Sequence, residues 1–239
     1  MAEWLVELKG DKAELEFLSK LPSLQRWKVT EQGGKYYLKY IALESPTDVY
    51  DVLADASSII DIMNGVTRLV FRSSQGAKVT GISQVEKNGK PPTQYIMLPF
   101  IPSEERFGIP AIRTGQELPE EASTPGSKWI KLAQEDEQVT KALELYGGLQ
   151  PNWKNLYMVL EAIEDDVCGE GRLLKNNWAP EAQIRLFKQT ANNFLALGRE
   201  ARHGTKTFKP PKKPMSLEEA QSLIKNILRK WLYSKCQNE

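Results

Sequence analysis

Apolar residues alternate with other residues along much of the first hundred positions, and this period of two predicts β-strands. The clearest case is the start of the chain, where Trp4, Val6 and Leu8 occupy alternate positions. Turn signals at Gln32-Gly33-Gly34 and Asn88-Gly89 separate two pairs of predicted strands and favour hairpins there. The predicted strands cover residues 4–8, 27–31, 35–43, 67–71, 78–85 and 93–101.

Two segments between these strands have the spacing of amphipathic helices. The first opens with the capping box Asp11-Lys12-Ala13-Glu14 and runs through Leu18. The second is capped by Thr47 or Asp48 and ended by Asn64-Gly65, a left-handed terminator. The order strand, helix, strand, strand, helix, strand is the split βαβ pattern. For residues 1–101 we therefore predict a small α+β sandwich with its helices on one face.

Residues 102–127 show no sustained period and are rich in proline, glycine and acidic residues. We predict a linker or an irregular covering segment there, with a separate core on each side. From residue 128 to residue 239 the apolar spacing is helical and predicts an all-α bundle, so the chain as a whole belongs to the α+β class. The predicted apolar stripes are Val139, Ala142, Leu143 and Tyr146; Leu156, Tyr157, Leu160, Ile163 and Val167; Ile184, Phe187, Ala191, Phe194 and Leu195; and Leu217, Ala220, Leu223, Ile224, Ile227, Leu228, Trp231 and Leu232.

End signals support these four helices. Gly147-Gly148 ends the first, Asn152 caps the second and Pro180 is the first residue of the third. Ser216 and Glu219 form a capping box at the start of the last helix.

The composition is that of an ordinary globular protein. The 239 residues are 41% hydrophobic and 26% charged, with a formal net charge of +1, which excludes a disordered or collagen-like chain. The N-terminus has acidic residues where a signal peptide has basic ones, and no run of about 18 apolar residues occurs. We therefore expect a cytoplasmic protein without a membrane segment.

Candidate chemistry is sparse. Cys168, Cys236 and the single His203 lack the paired spacing of a zinc site, so we expect reduced thiols, no metal and no cofactor. Neither a P-loop nor a G-x-S-x-G nucleophile elbow occurs. The carboxylates Glu161, Glu164, Asp165 and Asp166 have the composition of an acid-base or Mg²⁺ site, but we interpret them as a solvated helix face.

Positive charge is concentrated near the C-terminus. Residues 199–235 contain ten Lys or Arg and three Glu, a net charge of +7. Such a patch attracts phosphates, although the same lysines would also solubilise a Pro-rich loop and an outer helix face. The candidate phosphate-binding residues are Arg202, Lys206, Lys209, Lys212 and Lys213.

Within this region, Arg199 and His203 are four residues apart and would share one face of a continuous helix. A guanidinium that holds a phosphate beside an imidazole that moves a proton suits metal-independent phosphodiester cleavage. Arg199 and His203 are therefore the candidate catalytic residues. The structural alternative is that both side chains bind carbonyls at the helix end.

The Arg/His motif at the end of the penultimate helix, the polar loop and the capped last helix (MSLEEAQSLIKNILRKWL) resemble the HEPN superfamily. The resemblance covers about residues 137–235. It implies an all-α domain of bacterial defence and toxin systems, often dimeric, with metal-independent ribonucleases among its members. Catalytic members have more residues between the Arg and the His than this chain has, and Arg202 directly precedes His203. This departure favours the members that bind without cutting.

Three hypotheses follow, and they leave open whether the protein is an enzyme. The first is a cytoplasmic bacterial protein in which a sensor or partner-binding α+β domain is fused to a HEPN-like module for RNA or protein interaction. The second is a metal-independent ribonuclease that uses Arg199 and His203. The third is a structural or assembly protein that forms a homodimer through its helical domain.

Overall fold

The computed structural model describes residues 2–41, 48–71, 74–86, 92–95, 123–148, 151–203 and 209–237. Its N-terminal part is an antiparallel sheet of five strands in the order β2-β3-β1-β4-β5. Helix α1 (Lys12–Lys20) lies between β1 and β2 in the chain, and α2 (Val49–Val70) lies between β3 and β4. The strands are β1 (Ala2–Lys9), β2 (Trp27–Gln32), β3 (Lys35–Tyr40), β4 (Lys78–Glu86) and β5 (Thr93–Tyr95).

The order of the strands confirms the split βαβ prediction. Strand β1 pairs with both β3 and β4, so β3 separates β1 from β2, the two strands that α1 connects. Trp4, Val6 and Leu8 are buried on one face of the sheet, as their alternation predicts. The other face carries ion pairs such as Lys35 with Glu7, 3.1 Å apart. Within the described part of the chain, the buried face of β1 shares one hydrophobic cluster with α1 and α2.

Only one half of the predicted capping box of α1 forms. Asp11 accepts hydrogen bonds from the backbone N–H groups of Ala13 and Glu14. Glu14 does not return a bond to Asp11, because its carboxylate accepts the N–H of Gly76, 3.1 Å away and far along the chain. Burial raises the pKa of Glu14 in this position.

Helix α2 continues where the sequence predicted its end, so the predicted terminator at Asn64-Gly65 and the predicted strand at 67–71 are both wrong. The Asn64 side chain holds the backbone of Ala77, donating to its carbonyl at 3.0 Å and accepting its N–H at 2.7 Å. Gly65 lies against α4 (Glu137–Gly147), where a Cβ at this position would approach the carbonyl carbon of Leu143 to 3.0 Å. Both residues serve long-range packing, which their local signature does not reveal.

The C-terminal part is helical, as predicted, and the α+β class is confirmed. The predicted caps at Asp48, Asn152 and the reciprocal pair Ser216 and Glu219 all form. Pro180 precedes its helix by one residue instead of starting it. The helices are α3 (Ser123–Glu135), α4 (Glu137–Gly147), α5 (Trp153–Asp166), α6 (Glu170–Lys175), α7 (Glu181–Ala191), α8 (Phe194–Leu197) and α9 (Leu217–Gln237).

The buried side chains of both parts form one continuous hydrophobic cluster, in which α2 packs along α4. The sequence suggested separate cores because it could not show this contact.

Helix α3 begins at Ser123, inside the segment predicted as a linker. Most of residues 102–127, the turn at 88–89, Leu43, Thr47 and residues 96–101 lie outside the described residues. The division into domains at 1–101, 102–127 and 128–239 stays a prediction.

Candidate phosphate-binding site

The segment after α7 contains most of the candidate site, and its backbone is not the continuous helix that would place Arg199 and His203 on one face. Helix α7 ends at Ala191, and the side chain of Asn193 caps the short helix α8 by accepting the N–H of Ala196 at 3.0 Å. Gly198 has a φ of +59° and begins a 3₁₀ turn that ends at Glu200. Asn and Gly favour caps and left-handed conformations over helix interiors, so the chain turns here.

This turn separates Arg199 from His203. Arg199 lies exposed in the 3₁₀ turn, whereas His203 lies beyond it in irregular backbone. The shared helix face that would bring Arg199 and His203 together is not formed, and the structure records no contact between these two side chains. The neighbour of His203 is Arg202, which the sequence analysis assigned to phosphate binding.

Arg202 is held by four groups. Its backbone N–H donates to the carbonyl of Ala191 at 2.8 Å, which ties the segment to the end of α7. Its Nη2 donates to Glu161 Oε1 at 2.7 Å, and its Nη1 lies 3.0 Å from His203 Nε2. Its Cζ lies 4.5 Å from the centroid of the Tyr157 ring. A guanidinium above an aromatic face is held by a cation–π attraction, so Arg202 is positioned while 33% of its side chain stays accessible.

His203 is exposed, and its Nε2 faces the Arg202 guanidinium. A guanidinium has donors and no acceptor, so in a hydrogen bond between these two groups Arg202 donates and His203 Nε2 accepts. An anion that binds Arg202 Nη1 would release Nε2 and leave it adjacent to the anion.

Tyr157 and Glu161 belong to this site, whereas the sequence analysis placed Tyr157 in a core stripe and Glu161 on a solvated helix face. They are four residues apart on α5 and so share a helix face, which was the available signal. The Tyr157 ring is stacked on Phe187, at 5.9 Å and 22°, and its hydroxyl accepts a hydrogen bond from Asn192 Nδ2 at 3.2 Å. The packing below Tyr157 thus fixes the surface on which Arg202 lies.

Two of the other carboxylates of the acidic cluster bind to cations within the fold, whereas Asp165 is exposed. Glu164 pairs with Lys188 at 2.6 Å, and Asp166 pairs with Lys235 at 2.7 Å. The interpretation of these residues as a solvated face is wrong for Glu164 and Asp166, whose side chains are 14% and 20% accessible. Their role is to join α5 to α7 and α9.

The basic residues of the C-terminal segment divide into two groups. Three of them bind groups within the fold: Lys225 binds the carbonyl of Phe71, Lys230 that of Trp178, and Lys235 two carboxylates. Lys209, Lys212 and Lys213 are exposed in the segment that leads into α9, and Lys206 lies outside the described residues. The surface that offers charge to a ligand is therefore smaller than the net charge of +7 indicates.

Comparison of the chain with family models, with curated proteins and with solved structures finds no match.

Among the described residues, no group of three His, Cys, Asp or Glu side chains is placed to hold a metal ion. Within the same part of the chain, none of the helices combines the length and the apolar character that crossing a membrane requires.

Proposed function

We propose that this is a cytoplasmic bacterial protein whose helical part binds RNA through its phosphates. Arg202, His203 and the exposed lysines 209, 212 and 213 form the binding surface. The observation that carries the proposal is the Arg202 guanidinium, which is held in place on Tyr157 and remains accessible to solvent. The HEPN-like character of the helical part belongs to the same proposal, and the α+β part would bind a sensor ligand or a protein partner.

The chemistry of Arg202 suits a phosphodiester. A guanidinium binds phosphate oxygens through two parallel N–H···O bonds, and these charge-assisted bonds are stronger than neutral ones. A phosphate that takes the place of His203 on Nη1 keeps the Tyr157 contact intact. Glu161 stays on Nη2 and offsets part of the guanidinium charge, so the exposed lysines supply the remaining attraction for the phosphate.

Fluorescence anisotropy with a labelled single-stranded RNA tests this function. The variant in which Lys209, Lys212 and Lys213 are all replaced by Gln should bind less tightly, and its slope of log affinity against log salt should be smaller by about 2. Arg202→Gln should weaken binding about tenfold. The matched control is Lys28→Gln, which removes an exposed charge from β2 and should leave the affinity unchanged. An identical salt slope for the triple variant and the wild type would exclude this surface.

Metal-independent cleavage of RNA is a second candidate, and one observation favours it. The exposed imidazole of His203 has its Nε2 3.0 Å from Nη1 of the guanidinium that would hold the scissile phosphate. In this geometry Arg202 takes the role that the sequence analysis gave to Arg199, and His203 Nε2 accepts the proton of the attacking 2′-hydroxyl as the O2′–P bond forms. The P–O5′ bond breaks, water protonates the departing 5′-oxygen, and a 2′,3′-cyclic phosphate remains. Cleavage in EDTA by the wild type and not by His203→Ala is expected. Absence of His203-dependent cleavage between pH 5 and pH 8 would leave binding alone.

An assembly role through a homodimer of the helical part remains a third hypothesis, together with a protein partner in place of RNA. Sedimentation velocity over a range of concentrations tests the homodimer. A monomer at all concentrations would remove it.

A further inference from the structure

A second polar site lies where the ends of α2 and α4 meet the first half of α9. It is an open cleft of about 180 Å³. We call it the Arg68–Lys225 cleft. Its lining residues are Arg68, Tyr146, Pro151, Gln221, Ser222 and Lys225. None of them belongs to the surface around Arg202.

Two helix ends hold the two cations of this cleft. Arg68 Nη1 donates to the carbonyls of Tyr146 and Gly148, at 2.8 Å and 2.6 Å, and so caps the C-terminus of α4. Lys225 Nζ donates to the carbonyl of Phe71 at 2.8 Å, at the C-terminus of α2. These carbonyls fix both cations at the wall of the cleft, because C-terminal carbonyls carry partial negative charge.

Helix ends compensate only part of this positive charge, since each contributes about half an elementary charge. Burial, together with the neighbouring Arg229, lowers the pKa of Lys225 to about 8, and burial lowers the pKa of Arg68 as well. Asp61 and Glu14 act on Arg68 from α2 and α1, but neither lines the cleft. Arg68 and Lys225 thus place two partly buried cations at the wall of the cleft, and an anion bound there would offset part of the cost of burying them.

The polar groups of the lining residues are of the kind that donate hydrogen bonds. Lys225 has three N–H donors, one of which binds Phe71. Burial raises the pKa of Tyr146 to about 12, so its hydroxyl keeps its proton at neutral pH. Gln221 and Ser222 add an amide and a hydroxyl from α9, and none of the described lining residues has a carboxylate. This set of groups matches an oxyanion with several acceptor oxygens.

We propose that the Arg68–Lys225 cleft binds a phosphate group, supplied either by a small phosphomonoester or by the terminal phosphate of a nucleic acid. The volume supports a group of this size, because pockets for whole drug-sized ligands measure about 300–1,000 Å³. Arg68 and Lys225 hold the charge, while Tyr146, Gln221 and Ser222 select for oxygen acceptors. The proposal goes beyond RNA binding at Arg202 and stands without it.

Thermal unfolding in sodium phosphate and in sodium chloride, at equal ionic strength and pH 7.0, tests the cleft. Phosphate should raise the Tm of the wild type above its value in chloride, because a ligand of the folded state stabilises it by mass action. Lys225→Gln keeps a donor for Phe71 and removes the charge, and should weaken phosphate binding at least tenfold in calorimetry. Lys230→Gln, on the same helix and exposed, should bind phosphate as the wild type does.

Further binding experiments identify the source of the phosphate, and a second variant keeps the test valid if Lys225→Gln does not fold. Ser222→Ala changes an exposed residue and should weaken phosphate binding about threefold even if Lys225→Gln does not fold. The wild type is compared with Ser222→Ala using an oligonucleotide in its 5′-phosphorylated and 5′-hydroxyl forms. If the 5′-phosphate strengthens binding to the wild type and not to Ser222→Ala, the cleft binds the end of a nucleic acid. Free phosphomonoester binding without that difference assigns it to a small ligand. Equal effects of phosphate and chloride on the wild type, or equal phosphate binding by the wild type and Ser222→Ala, would overturn the proposal. The loss of phosphate binding caused by Ser222→Ala should be as large in an Arg202→Gln background as in the wild type, so the two sites fail independently.

Discussion

The crossing of α2 and α4 depends on Gly147, and replacing this residue by alanine tests the packing directly. A Cβ on Gly147 would overlap the carbonyl oxygen of Asp61 and the nitrogen of Gly65, and would lie 2.7 Å from the carbonyl carbon of Asp61. All three atoms belong to the backbone of α2, so no side-chain rotation relieves the overlap. The two helices must therefore move apart.

The magnitude follows from the contact distances. An ordinary van der Waals contact begins near 3.4 Å, so clearing the Asp61 carbonyl oxygen requires the helices to separate by roughly 2 Å. A gap of about 0.5–1 Å already removes a quarter to a half of the dispersion energy of each contact. Overpacking of side chains typically costs about 1–3 kcal/mol, and a backbone obstruction exceeds that range, so we expect Gly147→Ala to cost about 4 kcal/mol. For a chain of this length that loss lowers the Tm by about 10 °C.

Urea unfolding followed by circular dichroism measures this loss, and the adjacent Gly148 supplies the control. Gly148 has a φ of −51°, which alanine adopts, and a Cβ there would meet nothing closer than 3.8 Å. Gly148→Ala should therefore leave the stability unchanged or raise it by up to about 1 kcal/mol. A loss below about 1 kcal/mol for Gly147→Ala would refute the close crossing of α2 and α4.

Three further predictions concern buried polar groups and a helix glycine. Asn64→Ala leaves the N–H and the carbonyl of Ala77 unpaired. We expect it to lower the free energy of unfolding, measured in urea, by about 3 kcal/mol. A loss under about 1 kcal/mol would contradict the role of this side chain. Burial and the Glu144 carboxylate raise the pKa of Asp61 from 3.8 to about 6. The folded state therefore holds this proton more tightly than the unfolded chain does. The contribution of Asp61 to stability falls as the pH rises from about 4 through 6. Asp61→Asn should flatten that decline and stabilise the protein at pH 7 by about 1–2 kcal/mol; an unchanged pH profile would count against it. Gly171→Ala, in α6 with open space around it, should raise the Tm slightly, and a lower Tm would contradict the open surroundings.

The predictions at the candidate site differ in outcome according to the distance over which each interaction acts. The capping box of Ser216 and Glu219 involves groups three residues apart, and it forms as expected. The pairing of Arg199 with His203 required an unbroken helix, and the cap at Asn193 breaks it. The contact of Arg202 with Glu161 joins residues 41 positions apart, and no local pattern encodes it.

The amino-acid sequence alone determined the strands and helices whose apolar periodicity is long, such as β1, α5 and α9, because burial of one face repeats along the chain. It also determined the caps, where each group binds a neighbour in the chain. Only the tertiary structure decided the role of Asn64 and Gly65, which have the local signature of a helix end. Asn64 instead binds the backbone of Ala77, and Gly65 packs against Leu143. The cleft between Arg68 and Lys225 is decided in the same way, since helix ends distant in the chain must meet before their carbonyls hold two cations side by side.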